Sequence, residues 1–180
     1  VSEGIKRPRE RALVAARQIV KIISPACSRV EIAGSIRREK DEVSDIEIVA
    51  IPNYTPDLFG NQFYSAAIVS EILRGNGFEF NKNGENYKKF FYVSYQIWVD
   101  LFLTTPEQWG IIYMIRTGSA DFSHKMVTSK QQGGYMPSNY RVDSGRVWHV
   151  ADKEPFKTPE EKDIFDLWGL KFIEPKNRTG

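Results

Sequence analysis

A chain of 180 residues, 41% hydrophobic and 13% aromatic, can build one packed domain, or one with a small appended subdomain, and does not read as disordered. No window approaches the ~18 apolar residues of a membrane span, and no charged-then-apolar leader opens the sequence, so neither a membrane partner nor secretion is expected. The chain begins at Val1 rather than methionine, which leaves a removed segment open.

One cysteine, Cys27, excludes an internal disulfide and fits a reducing compartment. With only His124 and His149 beside it, a zinc site of His/Cys type is not expected, and a metal here should be a hard cation on carboxylates. The net charge of +2 is unevenly spread. Residues 5–40 carry ten Lys/Arg against three Asp/Glu, residues 41–120 five against ten, and residues 121–180 ten against nine. A basic lead before an acidic middle suggests polyanion binding beside a carboxylate site. A solvated basic helix face accounts for the same charges about as well.

In chain order, Pro8 followed by Leu13, Ala16, Ile19, Val20 and Ile23 predicts an amphipathic helix ending near Ser24-Pro25. A short strand, Arg29 to Ala33, and a Gly-Ser turn come next. A second strand, Val43 to Ile51, alternates carboxylates with branched apolar residues before Pro52. Residues 53–60 read as a loop, and Gln62 to Arg74 as a helix closed by Gly75. Phe78 to Leu103 is strand-like, with Asn83-Gly84 as the hairpin turn. Helices are expected around Pro106–Arg116 and Ala120–Gln132, a short β region between Tyr135 and Val150, and a last helix from Thr158-Pro159 to about Trp168. The class is α+β: a helix-backed mixed sheet, then a smaller, mostly helical end.

The chemistry concentrates in Gly34-Ser35-Ile36-Arg37-Arg38 and Ser44-Asp45-Ile46-Glu47-Ile48. Residues two apart in a strand share a face, so Asp45 and Glu47 project together while Ile46 and Ile48 point into a core. Two adjacent acids repel, and divalent cations between them would relieve that repulsion. A third acid, Asp100, is alone in the otherwise apolar Gln96–Leu103 strand, where an unpaired carboxylate is costly. Gly34-Ser35 offers backbone N–H groups and a hydroxyl to phosphate oxygens, with Arg38 as countercharge. A Gly-Ser pair alone is an ordinary turn. With an Arg three residues on and Asp-x-Glu seven beyond that, the pattern is far more specific. Trp98, Trp109, Trp148 and Trp168 read as core more readily than as base-stacking platforms.

These residues resemble the DNA polymerase beta superfamily of nucleotidyltransferases and, within it, the family X DNA polymerases. The resemblance runs from Arg7-Pro8-Arg9-Glu10 through Gly34–Glu47, Asp100 and Arg116-Thr117-Gly118-Ser119 to Glu161–Asp166 and Glu174–Arg178. It implies a nucleotidyltransferase palm over residues 1–105 and a small α/β thumb over 106–180. It implies a DNA-directed DNA polymerase adding deoxynucleotides to a primer 3′-hydroxyl, filling short gaps in repair. Asp45, Glu47 and Asp100 would hold two Mg²⁺ ions, with Mn²⁺ able to substitute. Gly34, Ser35 and Arg38 would hold the β/γ-phosphates, and Ile115, Arg116, Thr117, Gly118 and Ser119 would shape the sugar and base pocket. Arg7, Arg9 and Arg11, with Lys125 and Lys130 on the helix after the turn, would meet the nucleic-acid backbone.

The partners implied are a primer-template or gapped DNA and a dNTP. A monomer in an intracellular, cytoplasmic or nucleoid-associated setting is expected, with a nuclear or viral origin left open. Glu47 stands where an aspartate is usual, and Ile115 where many members place an aromatic that screens the sugar. On the following helix Ala120, Ser123 and Val127 replace larger polar groups. The rival readings are a nucleotidyltransferase with another acceptor, such as RNA 3′ ends, a small molecule or a protein, and a non-catalytic DNA-end binding module.

Overall fold

The structure is a computed structural model and describes residues 4–56 and 62–179. It divides into two compact units, Val1–Thr105 and Pro106–Gly180.

In the first unit the short strand β1 (Arg7–Pro8) leads into helix α1 (Arg9–Ile23). Strand β2 (Cys27–Ile32), the four-residue helix α2 (Gly34–Arg37), and strands β3 (Glu42–Val43) and β4 (Asp45–Pro52) follow. Next come β5 (Tyr54–Pro56), β6 (Gln62–Tyr64) and helix α3 (Ala66–Gly75). The unit closes with β7 (Phe80–Asn83), β8 (Tyr87–Tyr92) and β9 (Ile97–Leu103). The main sheet has five strands in the order β2-β4-β9-β8-β7. It is mixed: β4 and β9 run parallel, and the other neighbours are antiparallel.

One face of this sheet is the core. Ile46, Ile48 and Ala50 of β4, Val99 and Leu101 of β9 and Phe90 of β8 pack with Ala12, Ala15, Ala16 and Ile19 of α1 and Val69 and Leu73 of α3. Three buried alanines on α1 bring that helix close to the strands. Both helices cover this face through apolar residues at helical spacing, and the alternate residues of β4 and β9 are left for the opposite face.

The sequence expectations need three adjustments in this unit. The expected strand from Val43 breaks at Ser44: β3 pairs with β1, and only β4 enters the main sheet. Part of the expected loop 53–60 is strand, because β5 pairs antiparallel with β6; residues 57–61 lie outside the described ones. The helix expected from Gln62 starts at Ala66, since aromatic Phe63 and Tyr64 favour a strand and Ser65 is extended at the N-cap position.

The second unit contains helices α4 (Trp109–Thr117), α5 (Ala120–Val127) and α6 (Glu161–Leu167), with the hairpin β10 (Tyr140–Asp143) and β11 (Arg146–His149) before α6. Its core joins Ile111, Met114, Phe122, Met126, Val147, Ile164, Phe165 and Trp168. Helix α5 stops at Val127 rather than Gln132, because Thr128 is extended and its carbonyl accepts from Met136 N–H at 3.0 Å. Residues 130–132 form a separate 3-10 turn capped by Ser129. Helix α6 starts three residues later than Thr158. The N–H and hydroxyl of Thr158 both donate to the Glu107 carbonyl, at 2.7 and 3.3 Å, and the helix opens only where Glu160 N–H donates to Asp163 at 2.7 Å.

Candidate active site

The three acids singled out in the sequence lie on one face of one sheet. In the parallel pair β4–β9, Asp45 stands opposite Trp98 and Glu47 opposite Asp100. Directly opposed residues project to the same side, so Asp45, Glu47, Trp98 and Asp100 share the face away from α1 and α3. All four are half-buried, while the intervening Ile46, Ile48, Val99 and Leu101 are fully buried.

Neighbouring strand β8 adds groups that sequence reading did not assign. Lys89 is opposite Asp100, and Tyr87 is opposite Phe102. The Tyr87 hydroxyl donates to Asp100 Oδ1, and its ring stacks on Phe102 at 5.1 Å. The Lys89 ammonium lies 5.3 Å above the Trp98 ring, which Phe91 flanks at 5.1 Å. Trp98 is therefore part of the carboxylate face, whereas Trp109 and Trp168 are core. The alternation at residues 87, 89 and 91 carried this signal, but only the β8–β9 register ties it to the acids.

The electrostatics of this face are those of crowded negative charge. Burial and the nearby Asp100 carboxylate raise the Asp45 pKa above the ordinary aspartate value, with Lys89, Ser44 and Arg38 pulling it back. Burial lowers the Arg38 pKa, and Glu47 and Asp45 oppose that shift, so the guanidinium faces the same acids.

Glu47 has a further neighbour. A Cβ at Gly34 would fall 2.1 Å from Glu47 Oε2, so the carboxylate packs against the glycine that opens α2. That glycine also has φ +63°, a conformation that disfavours other residues. Gly34 is buried, while Ser35 and Arg38 are half-buried along the same short turn.

Among the described residues, no three Asp, Glu, His or Cys side chains already stand together as a metal-holding group. Glu47 is turned toward Gly34, and Asp45 interacts with Asp100. Oxygen donors, excess negative charge and a raised Asp45 pKa nevertheless fit a hard divalent cation, which would relieve the repulsion.

The second predicted cluster lies in the other unit. Helix α4 ends at Thr117, which is fully buried, and Gly118 N–H donates to Met114 O at 3.0 Å. Ser119 caps α5 by accepting from Phe122 N–H at 3.1 Å, and Ser123 Oγ donates to Ile115 O at 2.7 Å. Ile115 and Arg116 are half-buried on the last turn of α4. A Cβ at Gly118 would fall 2.5 Å from both Phe122 Cδ1 and Ser123 Oγ, so the turn admits only glycine without rearrangement.

The expected nucleic-acid contacts divide. Arg11 and Lys125 are exposed. Arg7 instead donates to the carbonyls of Lys6 and Gln96, at 3.1 and 3.0 Å, and Arg9 is half-buried. Lys130 is exposed but lies beyond the end of α5, with its ammonium 3.5 Å from Trp168 O.

Residues 113–179 match the family model of the DNA polymerase beta thumb. The C-terminal unit is similar to that thumb. The match supports a polymerase-beta-like, family X relationship for these residues and spans the Thr117–Ser119 turn, α5, the hairpin, α6 and Arg178. No described helix is long and apolar enough to cross a membrane.

Proposed function

We propose that this chain is a DNA-directed DNA polymerase that adds deoxynucleotides to a primer 3′-hydroxyl, filling short gaps in repair. The observation that carries the proposal is the convergence of Asp45, Glu47 and Asp100 on one sheet face, from two parallel neighbouring strands. Similarity of residues 113–179 to a polymerase beta thumb supports a DNA partner for such a face.

Asp45, Glu47 and Asp100 would hold two Mg²⁺ ions, or Mn²⁺ in their place. When bound, such ions lower the pKa of a nucleophilic hydroxyl and neutralise a leaving pyrophosphate. Tyr87 orients Asp100 by donating to one of its oxygens, which leaves the other for a ligand. Lys89 and Arg38 offset part of the rise that burial and Asp100 impose on the Asp45 pKa. The Ser35 hydroxyl and the Arg38 guanidinium are the groups on the Gly34 turn suited to triphosphate oxygens. In the thumb-like unit, Gly118 and Ser119, held by the buried Thr117, would contact sugar and base, with Ile115 standing against the 2′ position.

A primer-extension assay with and without template, for each dNTP and rNTP, tests this reading. Templated addition of matched dNTPs that requires a divalent cation is the expected result. A wall formed by an aliphatic side chain rejects an added hydroxyl by only about 10²-fold or less, so measurable ribonucleotide incorporation is expected too. Addition to RNA ends or without template would favour another acceptor. Binding of DNA ends without any extension would favour a non-catalytic module.

A further inference from the structure

Arg178 is fully buried two residues from the end of the chain. Its Nη1 and Nη2 donate to Glu161 Oε1 and Oε2, at 2.5 and 3.4 Å, and its Nε donates to Ile173 O at 2.8 Å. The rings of Phe172, Phe165 and Phe122 lie 5.1, 5.3 and 6.0 Å from the guanidinium carbon. The backbone of the same residue does something else: its carbonyl accepts the Ser119 N–H at 3.0 Å. One residue therefore ties the first turn of α6 and the tail to the turn between α4 and α5.

A buried ion pair is a poor source of net stability, since well-packed apolar residues of similar volume often do as well or better. What three directed donors provide is a fixed position for the backbone that carries them. Here that backbone holds Ser119, whose hydroxyl caps α5 and whose neighbour Gly118 is jammed against Phe122 and Ser123.

We infer that Glu161 and Arg178 are a positioning pair for the nucleotide: they set the Thr117–Ser119 turn through the Ser119 N–H···O=C Arg178 bond, and so control nucleotide affinity. The inference rests on the proposed polymerase reading, in which that turn meets the sugar and base.

The test separates positioning from stability. The double variant Glu161→Met/Arg178→Met replaces the pair with apolar side chains, and Arg178→Lys keeps the charge while losing the fork. Lys176→Ala, an exposed change in the same tail, serves as control. Each variant is assayed for melting temperature, kcat, nucleotide KM and primer affinity. Hydrogen exchange at the Ser119 amide is followed in parallel.

For the double variant, melting is expected at or above that of the wild type. Nucleotide KM should rise about tenfold, the effect of one lost hydrogen bond, while kcat and primer affinity stay within about twofold. Ser119 should exchange faster. Should the double variant fail to fold, Arg178→Lys is expected to give the same KM rise at a smaller loss of melting temperature. A folded variant with wild-type nucleotide KM and unchanged Ser119 exchange overturns the inference. So does a loss in which kcat, primer affinity and melting all fall together. Absence of extension by the wild type would instead sink the polymerase reading. In that case, unchanged Ser119 exchange in the variants would separately dismiss the clamp.

Discussion

In the unit of residues 1–105, Asp45, Glu47 and Asp100 share a half-buried sheet face on which burial first, and the Asp100 carboxylate second, raise the Asp45 pKa. In the unit of residues 106–180, Glu161 and Arg178 are buried far more completely, yet each side chain finds the other. The first arrangement sets three acids against Lys89 and Arg38 on a face that is still partly open, and the second pairs one acid with one base inside the unit. Acids crowded on a partly open face with a perturbed pKa mark a candidate ligand site, whereas an ion pair closed inside the protein marks framework.

Substitution should break the two regions in opposite ways. If Asp100 holds a catalytic cation as proposed, Asp100→Asn should remove several kcal/mol of transition-state stabilisation, so extension should fall by a factor on the order of 10³, with the fold intact or firmer. Arg178→Met alone leaves the Glu161 carboxylate buried and unpaired, which costs about 3–5 kcal/mol of stability. Urea denaturation of both variants beside an extension assay reads the contrast. A destabilised Asp100→Asn and an unaffected Arg178→Met would reverse it.

A smaller effect comes from Asp45. Its folded pKa is raised above the ordinary value of 3.8, by burial first and by Asp100 second. Between the ordinary and the raised value the folded state keeps a proton that the unfolded chain has released. Stability therefore falls as pH rises through that window, and the loss persists at neutral pH. In EDTA, Asp45→Asn should melt above the wild type at neutral pH. That advantage should shrink as pH falls toward the ordinary aspartate range. Magnesium should raise the melting temperature of the wild type more than that of Asp45→Asn. A pH-independent difference between the two would mean that folding does not raise the Asp45 pKa.

The smallest effect is in the basic lead segment, where the same contrast recurs within a few residues. Arg7 is used internally by the carbonyls of Lys6 and Gln96, while Arg11 is exposed. Arg11→Ala should lower the slope of log affinity against log salt by about 0.9 if it meets one phosphate. Arg7→Ala should act mainly on stability. DNA-binding titrations across a salt series would distinguish them, and an unchanged slope for Arg11→Ala would make that residue simply a solvated face.

The carboxylate pair on β4 was legible because a strand writes its faces into alternate residues, and Asp45-Ile46-Glu47-Ile48 spells this out locally. Asp100 stood out for the same reason, as one acid in an apolar strand. Tyr87, Lys89 and Trp98 were not legible, because their nearness to the acids depends on which strand lies beside which and in what register. Local sequence does not carry that information. The Glu161–Arg178 pair was hidden for a similar reason: the two residues are 17 apart, and nothing local marks either as buried. The β5–β6 pairing was missed because strands of three residues give too little alternation to read.

The most direct test is single-turnover addition of one matched deoxynucleotide to a template-annealed primer, by wild type and by Asp100→Asn verified as folded. Magnesium-dependent addition by the wild type and a loss on the order of 10³ in the variant are expected. Wild-type rates from the folded variant, or addition by the wild type that EDTA does not abolish, would contradict it.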